Sequence, residues 1–149
     1  MTPARGTRPT IPDLFARRVR SMSDERLERT TRGIWRRPLL NAVFRQMPKQ
    51  FDSAKGADIE AVVDWNIRDA QRDRVDHYQL IIGGGRCRST REPDRGPDLT
   101  IELDAVPFLR LVSGQANGPE LFMTGKLKTN GNQGLAMRLP SLFRIPGSK

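Results

Sequence analysis

Residues 125–143 read GKLKTNGNQGLAMRLPSLF. Lys126 to Thr129 reads as a short Lys-rich strand, and Gly131 with Asn132 can reverse the chain because glycine tolerates the positive φ of a tight turn. Beyond the turn, Leu135, Ala136, Leu139, Leu142 and Phe143 recur at the spacing of one face of a helix. That stripe needs an apolar surface to lie on. Pro140 is expected to kink or shorten the helix that carries it.

The surface is supplied upstream. Ile59, Ala61, Val63, Trp65 and Ile67 alternate with Glu60, Val62, Asp64, Asn66 and Arg68, the period of a strand with one dry face. Tyr78, Leu80 and Ile82 repeat the pattern after the charged turn RDAQRDRVD at 68–76. The glycines of IIGGGRC, 81–87, suit a tight hairpin into a third strand at Arg86 to Arg91. After the loop EPDRGP, Leu99, Ile101 and Leu103 mark a fourth strand. Asp104 then stands where an N-cap belongs, before a helix AVPFLRLVSG that buries Phe108, Leu111 and Val112 and stops at Gly114. Pro119 opens a short helical turn with Leu121 and Phe122.

The N-terminal third is helical in period. Thr10 can cap a helix with an apolar stripe of Ile11, Leu14, Phe15, Val19 and Met22, its other faces carrying Arg17, Arg18 and Arg20. Ser23 with Asp24 and Glu25 starts a second helix, which Gly33 ends. Pro38 opens a third, with Leu39, Leu40, Val43, Phe44 and Met47 on one face, and Pro48 stops it. The expected organisation is a mobile arm at 1–9, a basic helical extension at 10–50 and a domain at 51–149, joined through the linker FDSAKGAD. The fold class is α+β: a five-stranded, mainly antiparallel sheet covered by helices on one face.

Composition narrows the chemistry. A chain of 149 residues is one domain with one site. Residues 1–50 hold 12 Lys/Arg against 4 Asp/Glu, whereas residues 51–149 hold 14 against 13, so the basic character belongs to the N-terminal third. No apolar run approaches the roughly 18 residues of a membrane span, and the first residues lack the apolar core of a signal peptide, so a cytoplasmic protein is expected.

Catalytic constellations are thin. One histidine, His77, cannot build a histidine metal cluster, and its place beside Tyr78 suits a surface residue. Cys87 reads as a strand cysteine in packing. The GGGR run lacks the helix N-terminus that a phosphate loop requires. Asp98 and Glu102 lie roughly 13 Å apart along a strand, too far for a glycosidase pair. No metal, cofactor or catalytic residue is assigned, and the chain is read as a non-enzyme. What remains is apolar surface, enough for a core and for a slot between the layers.

The wording of PDLTIELDAVPFLRLVSGQANGPELFMTGKLKTNGNQGLAMRLPSLF, residues 97–143, closely resembles the sterol carrier protein type 2, or sterol-binding domain, family. That family's pattern runs from an acidic helix cap through Phe-Leu-x-Leu-x-x-Gly and an apolar pair to a Gly-Lys-Leu strand, a Gly-Asn turn and a Leu-Ala-x-x-Leu close. Asp104, Phe108, Leu109, Leu111, Gly114, Phe122, Gly125, Lys126, Leu127, Gly131, Asn132, Leu135, Ala136 and Leu139 match it. The resemblance extends more loosely back to Phe51, and RRPLLNAVFRQMPKQF is similar to the helical lead of small bacterial stand-alone members. It implies an apolar tunnel between sheet and helices that accepts fatty acids, acyl-CoA esters, sterols or isoprenoids. The peroxisomal C-terminal address of eukaryotic members is absent, and the family says little about the basic helices.

The expected slot is lined by Trp65, Ile67, Leu80, Leu99, Ile101, Leu103, Phe108, Val112, Phe122, Leu135, Leu139 and Phe143, each on the inward period of its element. Solid core is the competing reading of the same residues. Three functions compete: a non-catalytic lipid carrier, an accessory that presents a lipid-tailed intermediate to a partner enzyme, and a nucleic-acid module. The last lacks interleaved aromatics and a base-reading helix, so no nucleic acid is expected. The basic stripe at 10–37 suits transient contact with an anionic membrane surface or plain packing on the domain.

Overall fold

The computed structural model describes residues 11–69, 73–92 and 95–143. The arm at 1–9, the Thr10 cap and the side chains of residues 11–13 lie outside them. Three helices come first, α1 (Ile11–Ser21), α2 (Asp24–Arg32) and α3 (Arg36–Gln46), followed by a 3-10 turn at Met47–Gln50. The strands are β1 (Ala61–Asp69), β2 (Arg74–Gly83), β3 (Arg86–Thr90), β4 (Leu99–Asp104) and β5 (Leu127–Gly131). Helices α4 (Ala105–Val112) and α5 (Gly118–Met123) precede β5, and α6 (Gln133–Arg138) runs into a second 3-10 turn, Leu139–Leu142.

The five strands form one mixed sheet in the order β3-β2-β1-β4-β5. Three of its junctions are antiparallel, and β1 runs parallel to β4, with Trp65 opposite Ile101. Register puts Val63, Trp65 and Ile67 level with Leu80, Tyr78 and Asp76 on one side and with Leu99, Ile101 and Leu103 on the other. This is the dry face, and all the helices that touch the sheet core lie over it. Positive φ at Gly84 and Gly85 closes the β2–β3 hairpin. The parallel pair requires a crossover, and on the other face of β2 the Arg95 carbonyl accepts a bond from the fully buried Gln79 amide.

The N-terminal helices belong to the same core as the sheet. Val19, Leu27, Leu40, Val43 and Phe44 are buried in one cluster with the strand residues. Of the α1 stripe, Val19 is buried and Phe15 and Met22 pack half-buried against it, leaving Leu14 exposed. A membrane would have to compete with the core for this face. Arg110 of α4 locks the arrangement: its guanidinium donates to the Val19 and Met22 carbonyls at the end of α1 and to Asp24 at the start of α2. Arg20 returns a bond of 2.6 Å to the Ser113 carbonyl. Helix-terminal carbonyls thus find partners across the layer.

Two further sequence expectations change in detail. Asp104 occupies the N-cap position of α4, but its side chain makes no capping bond and faces Arg68 at 3.3 Å instead. The FDSAKGAD segment is more than a linker, since Phe51 bridges Phe143, their rings meet edge to face at 5.6 Å, and the Asp52 amide donates to the Leu142 carbonyl. Gly131 adopts a φ of 113°, and a Cβ there would collide with the Asp98 carbonyl, so this turn accepts glycine alone without strain.

Arg36 is 2% exposed. Its guanidinium donates to Asp76 at 2.7 Å, to the Ile67 carbonyl at 2.8 Å and to the Thr31 carbonyl at 3.3 Å. Arg91 stands 3.6 Å from the other Asp76 oxygen and lies over the Tyr78 ring. Burial pushes the Asp76 carboxyl up, but the Arg36 bond and the charges of Arg36, Arg91 and Arg74 outweigh it and hold the carboxyl below its ordinary value. Arg36→Ala should lower the unfolding free energy by about 3–5 kcal/mol, because it removes the buried partner of Asp76 and leaves the carboxylate to the longer contact with Arg91. A group whose folded pKa is depressed contributes stability above its unfolded value of 3.8 and loses it as pH falls through the folded value. Urea midpoints measured from neutral pH down through that window should therefore fall more steeply for the wild type than for Asp76→Asn.

Candidate functional site

Over the β1–β2 half of the sheet the space is filled by aromatic rings. Phe44 of α3 stacks on Tyr78 at 4.0 Å and on Phe108 at 5.2 Å, and Trp65 meets Phe44 and Phe108 edge to face. Over β4 and β5 no long helix of the described residues descends, and a cavity of about 470 Å³ remains. That is the size range of a small-molecule site.

Its floor is Trp65 of β1, Ile101 of β4 and Leu127 and Thr129 of β5. Leu111 and Val112 from the last turn of α4 and Pro119, Phe122 and Met123 of α5 form one wall. Ala136 and Met137 of α6, Leu139 and Pro140 of the second 3-10 turn, and Phe143 form another, and Met47 and Gln50 close it from the first 3-10 turn. The two six-residue helices are placed by their caps, Asn117 accepting from the Glu120 amide and Asn132 from the Leu135 amide. Pro140 ends α6 at Arg138 and turns the chain into a 3-10 turn, so that Leu139 and Phe143 both reach the cavity.

Of the sequence-derived slot residues, Trp65, Ile101, Val112, Phe122, Leu139 and Phe143 surround this cavity. The other six lie away from it in solid core: Ile67, Leu80, Leu99, Leu103, Phe108 and Leu135. Strand alternation fixes the face on which a side chain lies but not the depth of the space above it. Phe44 and Phe108 fill the layer over β1 and β2, and Leu99 and Leu103 flank the one open position, Ile101. Met47 was signalled as helix stripe and not as slot, and Met123 and Met137 were not signalled by periodicity. Met47 ends its stripe at the helix terminus, and the other two are exposed side chains of very short helices.

Among the described residues no acidic, basic or histidine side chain lines the cavity, and the polar groups present are Gln50, Thr129 and Gln133. The Thr129 hydroxyl donates to the Gln133 side chain, whose amide donates to the Gly131 carbonyl. Such a wall can hold an apolar molecule and orient one uncharged polar end; it has no group that titrates for acid–base chemistry. The remaining reactive side chains lie elsewhere. His77 is exposed, its Nδ1 2.6 Å from the Asn66 side-chain oxygen, and burial pushes the Cys87 thiol up to about 12, far from a thiolate nucleophile. No helix among the described residues is long and apolar enough to cross a membrane.

Similarity to known proteins agrees with this geometry. Human sterol carrier protein 2 is 27% identical over 111 residues, 72% of this chain but 20% of that protein. The chain thus spans about a fifth of the length of the first curated relatives it matches. A fatty acid-binding protein of Yarrowia lipolytica is 32% identical over 88 residues, 58% of this chain and 67% of that one. The solved apo structure of sterol carrier protein 2 from Yarrowia lipolytica shares the fold, with a TM-score of 0.57 at 23% identity over 74% of this chain and 91% of that one. Residues 40–144, from the middle of α3 onward, match the model of the SCP-2 sterol transfer family, and to that family this chain belongs.

Proposed function

We propose that this chain is a non-catalytic lipid carrier that holds one apolar ligand, a fatty acid, acyl-CoA ester, sterol or isoprenoid, in the cavity between sheet and helices. The observation that carries the reading is the cavity wall: about 470 Å³ lined by large apolar side chains and, among the described residues, by no ionisable group. Removing apolar ligand surface from water supplies the affinity at roughly 25 cal/mol per Å². The polar trio at Gln50, Thr129 and Gln133 would meet the ligand's oxygen-bearing end, while the apolar remainder lies against Trp65 and Ile101. A hydrocarbon wall discriminates weakly, about 1–3 kcal/mol per methylene, which suits a carrier serving several related lipids. The accessory reading shares this site and differs only in the recipient of the ligand.

Displacement of a fluorescent fatty acid tests the proposal. Saturable binding in the micromolar range is expected, and absence of binding to every lipid class tried would sink it. Ile101→Trp, which fills the cavity floor, should weaken binding about tenfold or more, whereas Leu80→Ala in the solid core should lower stability by about 2–5 kcal/mol without occupying the cavity.

His77→Ala and Cys87→Ser should leave ligand affinity within about 1 kcal/mol, the scale of a surface or mild core change. A loss of activity of about a hundredfold in either variant would instead mark an enzyme.

A further inference from the structure

Seven large apolar side chains stand exposed among the described residues, and three of them share a property that the others lack. Phe122, Met123 and Met137 are 54%, 85% and 84% exposed, yet all three also line the cavity. They form a rim whose outer surface faces solvent and whose inner surface is the cavity wall. Ile34 and Trp35, at the corner between α2 and α3, are as exposed but take no part in the cavity, and the same holds for Leu14 and Val75.

We propose that this rim docks on the surface of a lipid bilayer, so that a ligand passes between bilayer and cavity without crossing water; the inference rests on the lipid-carrier reading. A hydrocarbon chain drawn through water would expose about 0.8 kcal/mol per methylene, and a rim seated among acyl chains removes that barrier. Exposed methionines suit the task because an unbranched thioether adapts to irregular apolar contacts. Charge around the rim fits anionic headgroups. Lys49, Lys55, Lys126, Lys128 and Arg138 are exposed on the segments that carry or adjoin it, against three exposed carboxylates, Asp58, Glu60 and Glu120. Asp58 is already paired with Arg138 at 3.4 Å. The face of α1 nearest this chemistry in composition is largely taken by the core, as Val19, Phe15 and Met22 show.

The test is co-sedimentation of the full chain with phosphatidylcholine vesicles, with and without phosphatidylserine. Wild type should bind both, more tightly with phosphatidylserine, and Met123→Asp with Met137→Asp should weaken binding about tenfold or more. Ile34→Asp with Trp35→Asp should change it less than about twofold. Circular dichroism checks that each variant is folded. A Trp placed by Met137→Trp in a Trp35→Phe, Trp65→Phe background, which removes the indole of the cavity floor, should be quenched by brominated lipid, giving a readout that does not depend on the aspartate variants. Unchanged binding by the rim variant, loss carried by the Ile34 and Trp35 variant, absence of quenching, or a dimer in sedimentation that the rim variant dissolves would each overturn the proposal. If wild type binds a monomeric fluorescent fatty acid in these cases, the carrier reading stands and only the docking surface falls; if it binds no lipid, both fall.

Discussion

The buried Arg36–Asp76 pair fixes where everything else can go. Its guanidinium ties the first turn of α3 to a side chain of β2 and a main-chain oxygen of β1, so the helix can cross the sheet in one position only. Phe44 lies eight residues further on, about 12 Å along the helix axis. There it enters the aromatic stack with Tyr78, Phe108 and Trp65. A pair of this kind contributes less to net stability than its length suggests, because both charges lose their water. Its effect is orientation, which an apolar contact of the same volume would not impose.

With α3 committed to the β1–β2 half, the β4–β5 half receives only short elements. Helices α5 and α6 have six residues each, too few to present two full turns of large side chains to the sheet. Gly118, Pro119 and Ala136 bring small or rigid surfaces to the layer, where longer helices would bring leucines. The contact of Phe51 with Phe143 then holds the closing segment at the cavity's edge and keeps it from collapsing inward. One half of the molecule is therefore filled by buried side chains, and the other keeps a cavity of about 470 Å³.

Much of this was legible in sequence. Alternation marked the strands and their dry face, Gly131 and Asn132 marked the last turn, and Pro140 marked the break after α6, because each rests on local backbone geometry. The wording of residues 97–143 carried the family resemblance. Depth was not legible: Ile101 and Leu103 have the same period and the same chemistry, and only the distant rings of Phe44 and Phe108 decide which space is filled. Arg36 was equally opaque. It sits in a run of arginines, and nothing local separates the one that pairs with Asp76 forty residues away from Arg37 beside it, which is exposed.

The same reasoning alters the meaning of the basic N-terminal third. Its excess of 12 cations over 4 carboxylates suggests a surface field, but part of that charge is structural. Arg36 is neutralised in the core, and Arg20 is bound to a carbonyl of the α4 terminus. Among the described residues Arg17, Arg18, Arg26, Arg29, Arg37, Arg45 and Lys49 remain at the surface, spread over three helices and the 3-10 turn that follows them. A field so divided and screened within about 10 Å at ordinary salt attracts anionic surfaces weakly and without orientation. Orientation has to come from elsewhere, and among the described residues the exposed large apolar side chains that communicate with the cavity are those of its rim. Charge would bring the molecule near a bilayer, and the position of Phe122, Met123 and Met137 would decide which way it faces on arrival.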